Sequence, residues 1–358
     1  MVENKEDEMS TTRKKTRRKI ALLVIEFAVL LILAAALFVM IKLSKIEKTE
    51  LDPDKVIVNQ DLSQETQDIM ADYKTIALFG LDNRSNGNLS RGNSDVIMLA
   101  NINNKTHEVS LVSVYRDTYL DTGDGIYQKC NAAYAKGGPE QAISMLNTHL
   151  DLNITDYVTV DFYALVECID LLGGIEMTIT DEEATYMIGY MREINEITGH
   201  NSKVPESGGT YTLDGVQACA YARIRATAGD DYKRTERQRD VLAAMAKKAQ
   251  NSSLKTINKI IDQVFGDIQT SFSNTDLIAL AADLFNYKIG ETTGFPFEKS
   301  GQTYGKVGSV VVPCDLASNV AKLHAVLFGT ENYTPSETVQ NRSAEIINKT
   351  GLRQGDGY

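Results

Sequence analysis

Apolar positions along the chain fall into three kinds of run, and each predicts a different element. Residues 20–41, IALLVIEFAVLLILAAALFVMI, are apolar at every position except Glu26. At the helical rise these 22 residues extend about 33 Å, enough to cross a bilayer. Shorter runs with β-branched character predict strands: KTIALFGLD at 74–82, YVTV and GIEMTIT. DVIMLANINNKTHEVSLVSVYRD at 95–117 holds two such runs around the turn signal NNKTH, a predicted hairpin. Helical spacing marks GPEQAISMLNTHL, DFYALVECIDLLGG, DEEATYMIGYMREIN and LDGVQACAYARIR, the last with Asp214 placed to cap it. A helix beginning near Tyr232 and others around 254–265 and 276–285 follow.

Strands alternating with helices predict an α/β class, a three-layer domain with a mixed central β-sheet flanked by helices and preceded by one transmembrane helix; the hairpin rules out a purely parallel sheet. If the hairpin is centred between Lys105 and Thr106, Asp95 lies opposite Arg116 at one end of the sheet. The predicted organisation is a basic cytoplasmic tail at 1–19, the span at 20–41, a polar juxtamembrane stalk at 42–72 with some helix near 63–73, a catalytic domain at 73–329 and a polar C-terminal tail at 330–358.

Charge sets the orientation. Residues 1–19 carry seven Lys/Arg against four Asp/Glu, which leaves 30 against 44 in the remainder, a formal balance of about −14. RKKTRRK directly before the span keeps the N-terminus in the cytoplasm, so the chain reads as a single-pass type II protein of the cell membrane with its body extracytoplasmic. A cleavable signal peptide is the competing reading, opposed by the length of the run and by the apolar residues after Ala34-Ala35-Ala36. The acidic body excludes a general nucleic-acid surface. Cys130, Cys168, Cys219 and Cys314 show no metal-type pair spacing; buried thiols and bridges both remain open.

Against that acidity, Tyr221 to Asp240 holds six cations: Arg223, Arg225, Lys233, Arg234, Arg237 and Arg239. Arg234 and Arg237 fall in the first turns of a helix, where the macrodipole disfavours positive charge. Either Asp230 and Asp231 neutralise them, or an anion binds where amides and guanidinium forks converge. Local neutralisation leaves Arg223 and Arg225 unexplained. Gln238, four residues after Arg234, shares its face. Asp82 and Asp95, each at a strand–loop junction, are hard oxygen donors of the type Mg²⁺ takes, and equally are ordinary turn residues.

GLDNRS, SDVIMLANIN, VSLVSVYRDTYL, KCNAAYAKGG, VDFYALVECIDLLGGIEM, LDGVQACAYARIR and DDYKRTERQRDVL, in this order and spacing, resemble the LytR-CpsA-Psr family over about residues 73–248, with a family-like helical end to about 329. The resemblance implies a membrane-anchored enzyme that transfers a glycopolymer (teichoic acid, capsule or another wall polysaccharide) from undecaprenyl diphosphate to peptidoglycan through a phosphodiester. It also implies Mg²⁺ and an apolar pocket for the prenyl chain.

By that resemblance Asp82 and Asp95 take the magnesium positions, while Arg116, Arg223, Arg225, Arg234 and Gln238 hold the diphosphate. Lys129 stands where the family has another phosphate-facing cation, and Arg84 is a weaker candidate; Asp117 and Asp231 orient the arginines. Asp95 and Asp231 are the two candidates for the base, a choice left open. Tyr115 stands where the commonest family pattern has Pro, a departure that bears on the backbone turn. The expected partners are therefore the lipid-linked glycan donor, peptidoglycan and the cytoplasmic membrane of a Gram-positive cell, with no nucleic acid. Two rivals stand beside this reading: a prenyl-diphosphate hydrolase, and a non-catalytic polyprenyl-phosphate-binding sensor or scaffold.

Overall fold

A computed structural model describes residues 47–81, 92–225 and 230–358, together with Ile41, Ser44 and Leu89. The expected span at 20–41 lies outside these residues except for Ile41, as do the basic tail, Asp82 and Arg84. No helix among the described residues is long and apolar enough to cross a membrane. The chain divides into a unit Met1–Lys45 and a unit Ile46–Tyr358, and the elements that follow belong to the second.

In chain order the elements are β1 (Glu47–Lys48), α1 (Gln64–Ala71), β2 (Tyr73–Leu81), β3 (Ser94–Asn103), β4 (Glu108–Val114), β5 (Tyr119–Asp121), β6 (Tyr127–Lys129), α2 (Ala132–Leu150), β7 (Asp156–Asp161) and α3 (Phe162–Leu171). They continue with β8 (Ile175–Ile179), α4 (Asp181–Thr198), β9 (Gly209–Leu213), α5 (Gly215–Arg223), α6 (Asp230–Gln250), α7 (Leu254–Val264), β10 (Ile268–Thr270) and α8 (Asn274–Ala282). The last are β11 (Lys288–Phe295), β12 (Lys299–Tyr304), β13 (Gly308–Pro313), α9 (Leu316–Phe328) and α10 (Glu337–Thr350).

Seven strands form one mixed sheet in the order β1-β10-β7-β2-β3-β4-β11. The β3–β4 hairpin is antiparallel, while β7 and β11 run parallel to β2 and β4 respectively. Asn103 nucleates the hairpin turn by accepting from the Lys105 and Thr106 amides, and His107 closes it at φ +58°. Pairs such as Leu99 with Val112 follow the predicted register as far as Met98 with Ser113, and beyond it the Asp95 and Arg116 side chains meet at 2.8 Å.

Period-two alternation gives the sheet two apolar faces. Ala77, Phe79, Leu99 and Val112 pack beneath α2, α9 and α10, and Ile76, Met98, Ala100 and Leu111 pack on the other side with Phe272 and Leu242. A further core joins α3, α4, α5 and the β8–β9 pair through Val166, Met187, Leu213 and Val216. At its centre α5 starts against α3 so closely that a Cβ on Gly215 would lie 2.2 Å from the Val166 carbonyl oxygen.

Two expectations are corrected. Within the expected stalk, residues 47–72 are part of the domain: β1 joins the sheet, Leu62 and Met70 are buried, and Leu51, Val56 and Val58 pack against the main core. Residues 330–358 are likewise not a peripheral tail, because α10 buries Val339, Ser343 and Ile346 in that core. The apolar stripe of α10 is only about one side chain per turn, so average polarity conceals it. All four cysteines are free thiols.

Candidate functional site

The site grows from the end of the hairpin. Beyond β4 the chain turns sharply, with the Thr118 amide donating to the Tyr115 carbonyl at 2.9 Å and Asn131 to the Arg116 carbonyl at 3.1 Å. The buried Cys130 thiol donates to the carbonyls of Tyr115 and Arg116 at 3.2 and 3.3 Å, and burial pushes its pKa far up, so it braces the turn as a neutral thiol. The Tyr115 amide donates to the Phe295 carbonyl at 3.0 Å, a bond that the proline expected there from the resemblance could not make.

Arg116 is thereby held with its Nη1 2.8 Å from Asp95 Oδ1 and its Nε 3.5 Å from Asp231 Oδ2. Asp117 lies 3.8 Å from the same Nε and receives Lys129 at 2.9 Å. From the other side come the two arginine-bearing helices. A capping box between Asp214 and Gln217 starts α5, which ends at Arg223. The first turn of α6 supplies Asp231, and Arg234 and Gln238 follow on one face.

Asp231 is shared by three guanidinium groups. Arg225 Nε and Arg234 Nη1 stand 3.5 and 3.4 Å from its Oδ1. These separations exceed the 2.7–2.9 Å of a charge-assisted hydrogen bond. Burial alone would raise the Asp231 pKa, but Arg234, Arg116 and Arg225 outweigh it and hold the carboxyl below its ordinary value. Arg234 is only 3% exposed, and its Nε and Nη2 have no hydrogen-bond partner among the described residues. Burial pulls its pKa down to about 10, with Arg116 and Arg225 adding to the effect and Asp231 opposing it. A buried guanidinium left this unsatisfied is costly, and an anion would relieve it.

Asp95, Arg225 and Arg234 of this cluster line a cavity of about 470 Å³. Asp95, Arg223, Arg225, Arg234 and Gln238 form the polar end; Leu78, Val158 and Val160 of the sheet face Leu165 of α3 and Val241 and Met245 of α6 along the apolar remainder. Such a shape accepts an amphiphile with an anionic head and a hydrocarbon tail.

Of the candidates, Asp95, Arg116, Arg225, Asp231 and Arg234 form one contiguous cluster, Asp117 and Lys129 extend it, and Arg223 and Gln238 line the cavity. Asp82 and Arg84 lie outside the described residues. Arg237 turns away: it pairs with Glu183 at 2.8 Å and donates to the Ile224 carbonyl, serving the fold.

Sequence reasoning missed the seat of Arg223. Its Nη2 is 3.4 Å from Glu193, and its guanidinium lies 4.8 and 5.6 Å from the Phe162 and Tyr190 rings. The three-residue spacing of Tyr190 and Glu193 on α4 was the available signal. For a metal, Asp95 is a hard oxygen donor at the mouth, Asp161 also lines the cavity, and no group of three or more ligating side chains occurs among the described residues. One or two carboxylates suffice for Mg²⁺ when phosphate oxygens and water complete its shell, so the donor set fits.

The LytR_cpsA_psr family profile matches residues 34–307. The polyisoprenyl-teichoic acid–peptidoglycan teichoic acid transferase TagU of Enterococcus faecalis is 30% identical over 240 residues, covering 65% of this chain and 74% of that protein. TagT of Bacillus subtilis, with the same transferase description, is 29% identical over 242 residues, covering 66% and 72%. A solved structure of TagT with bound octaprenyl pyrophosphate lipid shares the fold with a TM-score of 0.53 at 19% identity, covering 85% of this chain and all of that one. With the profile spanning most of the domain built above, the chain belongs to the LytR-CpsA-Psr family.

Proposed function

We propose that this protein transfers a glycopolymer from a polyprenyl-diphosphate carrier to a hydroxyl group of peptidoglycan. The carrying observation is the union of an arginine-rimmed mouth, with two Arg234 nitrogens lacking partners among the described residues, and an apolar cavity behind it. The relatives named as teichoic acid transferases and the related fold with bound octaprenyl pyrophosphate support the same reading. Undecaprenyl is the proposed tail, and a single N-terminal span at 20–41 would hold the domain at the outer membrane face.

In the proposed reaction the acceptor oxygen attacks the phosphorus that bears the glycan. The bond from that phosphorus to the bridging oxygen breaks, and prenyl phosphate leaves with the electron pair. Arg116, Arg225 and Arg234 are placed to absorb charge developing on the leaving phosphate. The hydroxyl proton passes to a carboxylate at the mouth, where Asp95 and Asp231 are the two described candidates. Asp95, with Asp82, is the proposed holder of Mg²⁺, which would supply further neutralisation of the diphosphate.

The test uses the full chain in detergent with a defined prenyl-diphosphate glycan and peptidoglycan oligomers, with and without Mg²⁺. Phosphodiester-linked product that requires acceptor and metal is the expected result. Release of prenyl phosphate at the same rate without acceptor would replace transfer by hydrolysis, and binding without turnover would reduce the protein to a lipid sensor.

A further inference from the structure

A second cavity of about 460 Å³ adjoins the site through neighbouring residues and takes no part in the reading above. Tyr115 precedes Arg116 and Tyr232 follows Asp231; the two tyrosine rings meet edge to face at 4.7 Å, beside the 3.5 Å approach of Arg116 to Asp231. Both tyrosines line the second cavity. Tyr115 fits so tightly there that a Cβ on Gly294 would come within 2.2 Å of its hydroxyl oxygen.

Arg239, Lys299 and Lys322 also line this cavity. Arg239 is only 7% exposed, and neither its Nε nor its Nη1 has a hydrogen-bond partner among the described residues. Lys299 is held over the rings of Tyr232, Tyr358 and Tyr115 at 4.7, 5.4 and 5.5 Å, and Lys322 lies 4.7 Å from the Phe297 ring. Glu236 and Asp240 are the acids of the wall, and Lys233 already engages Glu236 at 2.8 Å.

We propose that this cavity is a subsite for the acceptor, binding a carboxylate of a peptidoglycan glycopeptide on Arg239 and Lys322. The inference rests on the transferase reading. Glu236 and Asp240 act on the Arg239 guanidinium electrostatically but leave its Nε and Nη1 without a hydrogen bond among the described residues, and a ligand carboxylate would supply one. Tyrosine faces suit a sugar or peptide plane. Two acids beside three cations leave one net positive charge, which matches a ligand with hydroxyls, amides and a single carboxylate more closely than a repeating polyphosphate. The location, against the residues flanking Arg116 and Asp231, would bring the acceptor chain beside the diphosphate mouth.

The test measures Kd on the full chain in detergent for four probes: geranyl pyrophosphate, a peptidoglycan disaccharide-peptide, its carboxyl-amidated form, and poly(glycerol phosphate). R239Q and K322A should each weaken the disaccharide-peptide roughly tenfold, toward the amidated form, as expected for loss of a charge-assisted hydrogen bond. Geranyl pyrophosphate should bind them as it binds the wild type. Unchanged disaccharide-peptide affinity in both variants overturns the subsite, as does a loss confined to poly(glycerol phosphate). Lys322 is exposed, so K322A decides the matter should R239Q fail to fold. Wild-type protein that does not bind geranyl pyrophosphate would instead sink the transferase reading, a result separate from the behaviour of these two variants.

Discussion

Two carboxylates, Asp151 and Asp231, gather polar groups from distant parts of the chain, and they do so in opposite ways. Asp151 is fully buried at the C-terminal end of α2 and accepts from Asn59 at 2.6 Å, Tyr333 at 3.0 Å, the Ser336 amide at 2.8 Å and the Ser336 hydroxyl at 2.6 Å. Its partners are neutral, close and complete, and they tie residues 59, 151 and 336 into one body. Asp231 instead faces three guanidinium groups at 3.4–3.5 Å, with Arg234 left partly unsatisfied. Complete satisfaction marks a polar network that stabilises the fold; a buried surplus of unpaired donors marks one that awaits a ligand.

Removing each centre should separate the two roles. Asp151→Ala leaves several buried donors without an acceptor and should cost about 3–5 kcal/mol of stability in urea unfolding, with diphosphate binding per folded molecule retained. Arg116→Ala should reverse that pattern, cutting transfer about 100- to 1,000-fold, or about 3–4 kcal/mol, in single-turnover assays. Its unfolding midpoint should stay near the wild-type value, because a partly exposed ion pair contributes little to stability. A variant that loses both properties together would erase the distinction.

Acid should strike the structural side. Burial pulls His149 down to about 3, with Arg342 adding to the effect, and pulls His324 down to about 4; both flank Asp151 or its partner Tyr333. The unfolded chain binds these protons near pH 6.5 and the folded chain does not, so their contribution is whole above that value and is lost as pH falls toward the folded pKa values. Between pH 6.5 and 5.5 the two together should cost roughly 2 kcal/mol, measurable as a falling denaturation midpoint. The smallest effect should come from the apolar wall. Leu165→Trp would fill part of the cavity and weaken prenyl-diphosphate affinity about tenfold, about 1.4 kcal/mol by titration, while its affinity for inorganic pyrophosphate stays unchanged.

Much of the mouth was legible in the chain because local rules governed it. The turn centred at Lys105 and Thr106 set the hairpin register, and that register carried Asp95 to Arg116. The excess of cations around Arg223 to Arg239 in an acidic body pointed to an anion. Less legible were the groups that act from other elements. Glu193 and Tyr190 reach Arg223 from α4, Cys130 braces the Arg116 turn from beneath, and Arg237 leaves the cluster for Glu183. Average composition misjudged residues 47–72 and 330–358, whose few apolar side chains suffice once a core exists to receive them.

The early strands and the helices between them, the hairpin pairing and the concentration of guanidinium groups followed from the sequence alone, since turn chemistry, side-chain period and charge act over a few residues. Tertiary structure decided which arginines remained unsatisfied, where the apolar cavity opened and that a second polar cavity lies beside the first. Those outcomes depend on how many partners reach a buried group in space, a quantity set by packing between elements far apart in the chain.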